Sequence, residues 1–358
     1  MKKLFRLILL AAATLMPVLP GRAVVIVDDT WADGSRTNTP ISSSNTVWYA
    51  STTTSLLVGP NYMLGTNITS ARMWVGYFTE DPASPVTLND GEMIKVTLVF
   101  TPTNVAAWPG SGTARGLRFG LFNYADGGTR LTNDVFSSSG GNGGNVTGYM
   151  LNMSFFTNFS VDTPLQILVR TNLPSANLMG TTVDYITLGS GPCCLSNQPG
   201  FSSGVTYTLE FAVARTNAAD VGVYTRISGA DQDLQFSIKD TITNYYKFDT
   251  FAIRPNNLAQ SADHFTFHQF KVEVLPIATP PLPPFSITSI ERLSPGNVKV
   301  TFESVPGKTY VLESRDQVNT GAWTTNAVGT ATGTSMSLTN SGIPPGVTQR
   351  FYRVGRLP

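Results

Sequence analysis

The stretch 262-ADHFTFHQFKVEVL-275 holds both histidines of the chain, His264 and His268, and its reading decides the fold. Phe265 and Phe267 share one parity, whereas Phe270, Val272 and Val274 share the other. Side chains alternate between faces along a strand, so a one-residue slip near His268 and Gln269, most simply a β-bulge, brings all five to one side. His264 and His268 then stand about 13 Å apart along an extended chain, too far to ligate one metal ion. An i, i+4 pair suits zinc on a helix, not on a strand. The stretch therefore reads as the closing strand of a domain, with both histidines structural.

Directly after it, 276-PIATPPLPPF-285 cannot continue a sheet and favours a semi-rigid extended spacer. It divides the chain into a larger part, 24–275, and a smaller one, 286–358. Upstream the same period of two recurs. In 205-VTYTLEFAV-213, Val205, Tyr207, Leu209, Phe211 and Val213 oppose Thr206, Thr208, Glu210 and Ala212. Ile94, Val96, Leu98 and Phe100 alternate in the same way, as do Leu234, Phe236 and Ile238. Hardly any window favours a helix. Turn signals such as DPASP, WPGSG and ADGG punctuate the runs, so antiparallel sheets packed face to face are expected.

The first 23 residues run from Lys2, Lys3 and Arg6 through an apolar core to Pro17, Pro20 and Ala23, the layout of a secretory signal peptide. Cleavage after Ala23 removes Lys2, Lys3, Arg6 and Arg22 from the 24 basic residues and leaves 20 against 23 acidic ones, a net charge of −3. No electrostatic case for nucleic acid remains. No later segment is long and apolar enough to span a bilayer as a helix. Charged residues make up only 13% of the chain, and hydroxyl and amide side chains supply its polarity. An extracellular, periplasmic or cell-surface β-protein is expected. The only cysteines, Cys193 and Cys194, are adjacent. A bond between neighbours is rare and strained, so free thiols or a cross-link between chains are expected. Metal-type spacing is absent.

Three segments, 24-VVIVDDTWADGSRTNTPISSSNTVWYAS-51, 115-RGLRFGLFNYADGGTR-130 and 247-KFDTFAIRPNN-257, together with 262–274, resemble secreted bacterial concanavalin A-like or laminin G-like jelly-roll proteins. The resemblance implies a large antiparallel β-sandwich over 24–275 whose first and last strands lie side by side, and a face that meets sugar. The tail 286–358 resembles the small immunoglobulin-like or fibronectin-like β-sandwich modules of bacterial exoproteins. There Val298, Val300 and Phe302 alternate with Lys299, Thr301 and Glu303, and Trp323 is expected in the core.

Catalytic signatures are mostly missing. A glycoside hydrolase on this fold needs paired carboxylates, and the nearest pair, Asp231 and Asp233, falls in a turn. Tyr245, Tyr246 and Lys247 superficially match part of an alginate-lyase signature, without its companion motifs. No G-x-S-x-G is present. The glycine-rich 140-GGNGGNVTG-148 lacks the residues of a phosphate loop and reads as a mobile surface loop. A structural calcium would draw on Asp28, Asp29 and Asp263, but it needs six or more oxygen ligands, and ordinary turn or cap roles are preferred. No other cofactor is expected.

The expected function is non-catalytic binding of a polysaccharide or cell-surface glycan. Sugar recognition uses a flat aromatic face with amide and guanidinium groups nearby, and Trp108, Arg118, Asn123 and Tyr149 are the residues placed in that role. A divergent lyase or hydrolase using Tyr246 and Lys247, and a purely adhesive exoprotein, are the alternatives.

Overall fold

A computed structural model describes residues 23–67, 70–111, 114–277, 286–294, 296–316, 322–344, 347 and 349–357. The expected export segment and Pro-rich spacer lie almost entirely outside the described residues. The chain divides into two compact units after Ile277.

Among the described residues the larger unit is built on two eight-stranded antiparallel sheets. The first runs Asp233–Asp240, Asp220–Ser228, Tyr207–Asn217, Glu92–Thr103, His264–Pro276, Tyr62–Thr66 and Leu56–Gly59, with Val24–Asp29 also paired to His264–Pro276. The second runs Tyr185–Gly191, Leu165–Arg170, Thr147–Met153, Leu117–Asn123, Thr250–Pro255, Trp74–Tyr77, Asn45–Ala50 and Thr37–Ser42. Two such sheets, with the first strand of the unit beside its last, define an all-β jelly-roll sandwich.

The slip inferred at His268 is present. Against Glu92–Thr103, Phe267 faces Phe100 but Gln269 faces Val99, so His268 is the extra residue of a bulge. Its effect is the one the parities demand, because Phe265, Phe267, Phe270 and Val272 are all buried in one core. Ile94, Val96, Leu98 and Phe100 meet Phe119, Leu121, Leu151 and Phe251 of the second sheet there. Each such fully buried side chain contributes about 1.5–3 kcal/mol. His268 Nε2 lies 2.9 Å from Thr101 Oγ1, and His264 Nδ1 lies 2.8 Å from Asp263 Oδ1.

The sheets differ in how their outer faces end. In the first, buried and partly exposed positions alternate along Glu92–Thr103. In the second, every residue of Leu117–Asn123, Thr147–Met153 and Thr250–Pro255 is buried. Val75, Tyr77, Phe122, Met150, Leu168 and Ala252 form a second core on that outer face, under Leu131, Val146, Leu178 and Met179 of two covering loops.

The smaller unit pairs Ile287–Ser294, Asn297–Glu303 and Ser335–Asn340 in one sheet and Thr324–Thr330, Thr309–Arg315 and Phe351–Arg356 in another. Val300, Phe302, Tyr310, Leu312 and Leu338 are its core. Trp323 is not among them, contrary to expectation. It is half-buried, with the guanidinium carbons of Arg315 and Arg353 4.3 and 4.4 Å from its ring, a cation–π arrangement that leaves an edge to solvent.

Candidate functional site

Cross-strand register builds a polar row on the outer face of the second sheet. Arg254 faces Arg118, Arg118 faces Asn152, Asn152 faces Gln166, and Gln166 faces Ser190. Each residue belongs to a different strand, and each has the parity opposite to the core residues beside it. The row's middle members are hydrogen-bonded to one another, and Gln166 reaches Thr187 beside the row. Arg118 Nε donates to Asn152 Oδ1 at 3.1 Å, Asn152 Nδ2 to Gln166 Oε1 at 3.1 Å, and Gln166 Nε2 to Thr187 Oγ1 at 3.2 Å. It also passes from inside to outside: Arg254, Arg118 and Asn152 are buried, Gln166 and Ser190 are half-buried, and Thr187 is exposed.

Two of the arginines reach the covering loops. Arg118 Nη1 donates to the Met179 carbonyl, while Arg254 donates through Nε to the Ser138 carbonyl at 2.9 Å and through Nη1 to Asn256 Oδ1 at 2.8 Å. Burial pushes both guanidinium groups below their usual pKa. For Arg254, with Arg118 adding its charge, the value falls to about 10, so it remains protonated at neutral pH.

At the other end of the same face the loops seal completely. Arg170, fully buried, donates to the carbonyls of Val146, Ser175 and Asn177. Tyr124 donates its hydroxyl to the Gly141 carbonyl. The glycine-rich segment is therefore packed against the sheet rather than standing out as a surface loop, and Gly140, Gly141 and Gly143 are buried. Glycine permits this approach. A Cβ on Gly143 would lie 2.8 Å from the Ser175 carbonyl oxygen and 3.0 Å from Arg170 Nη2.

Of the four residues placed at a sugar site from sequence, Arg118 belongs to the row. Trp108 is half-buried and packs edge-on against Phe156 at 5.2 Å, with its backbone N–H donated to Asn158 Oδ1 at 3.0 Å. That loop joins Met153 to Leu165, so Trp108 stands at the row's end of the sheet. Asn123 and Tyr149 are withdrawn from the surface. Asn123 is wholly buried and its Oδ1 accepts the Ala125 N–H. Tyr149 points between the sheets, where its hydroxyl donates to Asp240 Oδ2 at 2.6 Å, and burial together with that carboxylate drives its pKa far up. Parity is the reason, since Tyr149 shares the face of Leu151, not of Asn152. Sequence reading missed Arg254, Asn152 and Gln166. The available signal was an arginine flanked by Leu117 and Phe119, repeated between Ile253 and Pro255.

The remaining sequence candidates do not converge. Asp29 accepts the N–H groups of Trp31 and Thr46, and Asp28 accepts from Gln269 Nε2 at 2.6 Å. Asp29 faces Phe270 in the ladder, seven residues from Asp263, a separation of roughly 20 Å along a strand. The calcium site built from these three carboxylates is thus corrected. No group of three metal-ligating residues occurs among the described residues. Asp231 accepts from Tyr207 Oη at 2.7 Å, and Asp233 forms a two-pronged pair with Arg226. Tyr245, Tyr246 and Lys247 line a pocket of about 200 Å³ with Asp126, Thr147, Thr243 and Asn244, and neither histidine reaches it. The Arg215 guanidinium lies 4.0 Å over the Tyr246 ring. Cys193 and Cys194 are bonded to each other, which corrects the expectation of free thiols or an interchain link.

No protein-family model and no curated protein sequence matches the chain. Among solved structures it aligns with peanut lectin carrying a nine-residue peptide, at 10% identity and a TM-score of 0.40, covering 71% of this chain and 98% of that one. The metal-free VIP36 exoplasmic/lumenal domain aligns at 12% identity and 0.41, covering 70% and 92%. A carbohydrate esterase from the Shiga toxin-encoding bacteriophage phi24B aligns at 14% identity and 0.34, covering 71% and 100%. Such distant likenesses assign no ligand.

Proposed function

We infer that the larger unit is a secreted, non-catalytic carbohydrate-binding sandwich that takes a polysaccharide or cell-surface glycan along the outer face of its second sheet. One observation carries this reading: the hydrogen-bonded row Arg118–Asn152–Gln166–Thr187, fixed at its buried end and open at the other. Planar amide and guanidinium groups held in fixed orientation match the paired hydroxyls of a pyranose. Trp108, half-exposed at the same end, offers an aromatic surface for the sugar's apolar side. The basic and apolar start of the chain supports export. The smaller unit is read as an appended immunoglobulin-like or fibronectin-like module.

A glycan array on the secreted protein, paired with reducing-sugar and unsaturated-uronate assays, tests the reading. Binding without turnover is expected, with Gln166→Ala and Trp108→Ala each weakening it at least fivefold. Turnover would remove "non-catalytic" from the description, and absence of any glycan ligand would sink the whole reading.

A further inference from the structure

Arg118 and Arg254 raise a question the row alone does not answer. They stand directly opposite each other on neighbouring antiparallel strands, with the same parity and therefore on the same face. Their relative exposures are 7% and 8%. Like charges placed across a ladder destabilise it, and burial makes them costlier. Elsewhere the unit answers some such charges with an acid, Arg36 with Asp134 and Arg130 with Asp249, and closes Arg170 in with backbone carbonyls. Among the described residues neither Arg118 nor Arg254 has a carboxylate in ion-pair range. All four of their hydrogen bonds go to neutral oxygens.

Each also keeps one nitrogen in reserve. Nε and Nη1 of both residues are used, while Nη2 of both makes no hydrogen bond among the described residues. Neither Nη2 is sealed from solvent, unlike the unpartnered Nε of Arg115, Arg130 and Arg170. Two charged donors on directly paired residues, held by their other bonds, thus keep a narrow opening to solvent. Since the chain without its first 23 residues carries a net charge of −3, this is a local feature and not part of a general basic field.

We propose that the Arg118–Arg254 pair is an anion subsite that takes the oxyanion of an acidic saccharide, a uronate carboxylate or a sulfate ester, through the two free Nη2 groups. The sugar ring that carries the anion then lies toward Asn152 and Gln166. This deepens the carbohydrate-binding reading and rests on it. Guanidinium groups suit the task because carboxylate and sulfate oxygens accept paired, charge-assisted hydrogen bonds.

The test is calorimetric titration of the full chain, at fixed ionic strength, with oligogalacturonate, a sulfated galactan oligosaccharide and a neutral galacto-oligosaccharide of equal length. One or both acidic ligands are expected to bind at least tenfold tighter than the neutral one, and the arm that binds identifies the anion. Arg254→Gln, checked for folding by circular dichroism, should abolish that preference. Equal binding of acidic and neutral ligands overturns the subsite while the carbohydrate reading stands. Binding of none of them overturns both. An acidic preference that survives in folded Arg254→Gln places the anion elsewhere and also overturns the subsite. Should Arg254→Gln fail to fold, competition on the unmodified protein decides: free galacturonate must displace the acidic oligosaccharide at least tenfold better than free galactose, and equal displacement refutes the proposal.

Discussion

Arg170 and Arg118 lie on one face of one sheet, both buried and both lacking a carboxylate, yet they end differently. Around Arg170 the glycine-rich loop comes close enough to turn the carbonyls of Val146, Ser175 and Asn177 onto both terminal nitrogens. Around Arg118 and Arg254 the same loops supply only the Met179 and Ser138 carbonyls, and among the described residues Nη2 of each has no acceptor and is not sealed, whereas the one unpartnered nitrogen of Arg170, Nε, is sealed. The difference teaches how to separate an arginine that staples a loop from one that waits for a ligand. Buried guanidinium groups need oxygen acceptors, and where the protein supplies enough of them the residue is structural.

The sharpest way to break this comparison is Arg170→Met. Several buried carbonyls lose a charged donor together, and a cost of about 4 kcal/mol is expected. For a unit of this size that lowers the thermal midpoint by roughly 10 °C. Gly143→Ala should follow at about 2 kcal/mol, because its Cβ forces the loop off the sheet. Arg254→Gln sharpens the contrast from the other end. It loses two hydrogen bonds but relieves a like-charge pair, so less than about 1 kcal/mol is expected in a denaturant melt. A loss equal to that of Arg170→Met would show that Arg254 is a staple too.

Acid distinguishes the ends next. Burial alone would raise the Asp134 carboxyl, but hydrogen bonds from Arg36 and the Ala50 N–H outweigh it and hold the group below its ordinary value. Its folded pKa is depressed, so the stability it contributes is fully present above the unfolded value of about 4 and is lost as pH falls through the folded value. Protection in the covering segment 131–136, taken as exchange relative to the intrinsic rate at each pH, should therefore fall below about pH 4, while protection of the Arg118 and Arg254 amides, whose side chains engage no carboxylate among the described residues, stays unchanged over that step. Smallest of all, replacing His264 and His268 together with Gln, on the opposite sheet, should change stability by no more than about 0.5 kcal/mol and leave glycan binding intact.

Much of the fold was legible because a strand's pattern is local. The parities of Phe265, Phe267, Phe270 and Val272 required a bulge at His268, and the ladder against Glu92–Thr103 has it there. The site was less legible. Arg118, Asn123 and Tyr149 were placed at one sugar site together with Trp108, but Arg118 lies on the outer face while Asn123 and Tyr149 are buried with the parity of the core. Sequence period cannot say which face of a strand buried on both sides meets the other sheet, and Leu117–Asn123 and Thr147–Met153 are buried on both.

By itself, then, the sequence determined strand after strand and a slip near His268 and Gln269, because alternation acts within a few residues. Only the tertiary structure decided that a glycine-rich loop roofs one sheet face, that Cys193 and Cys194 bond to each other, and that Arg118 faces Arg254. Which strands become neighbours, and in which register, is settled by how the whole apolar surface is buried. Two arginines far apart in the chain became a pair only through that choice.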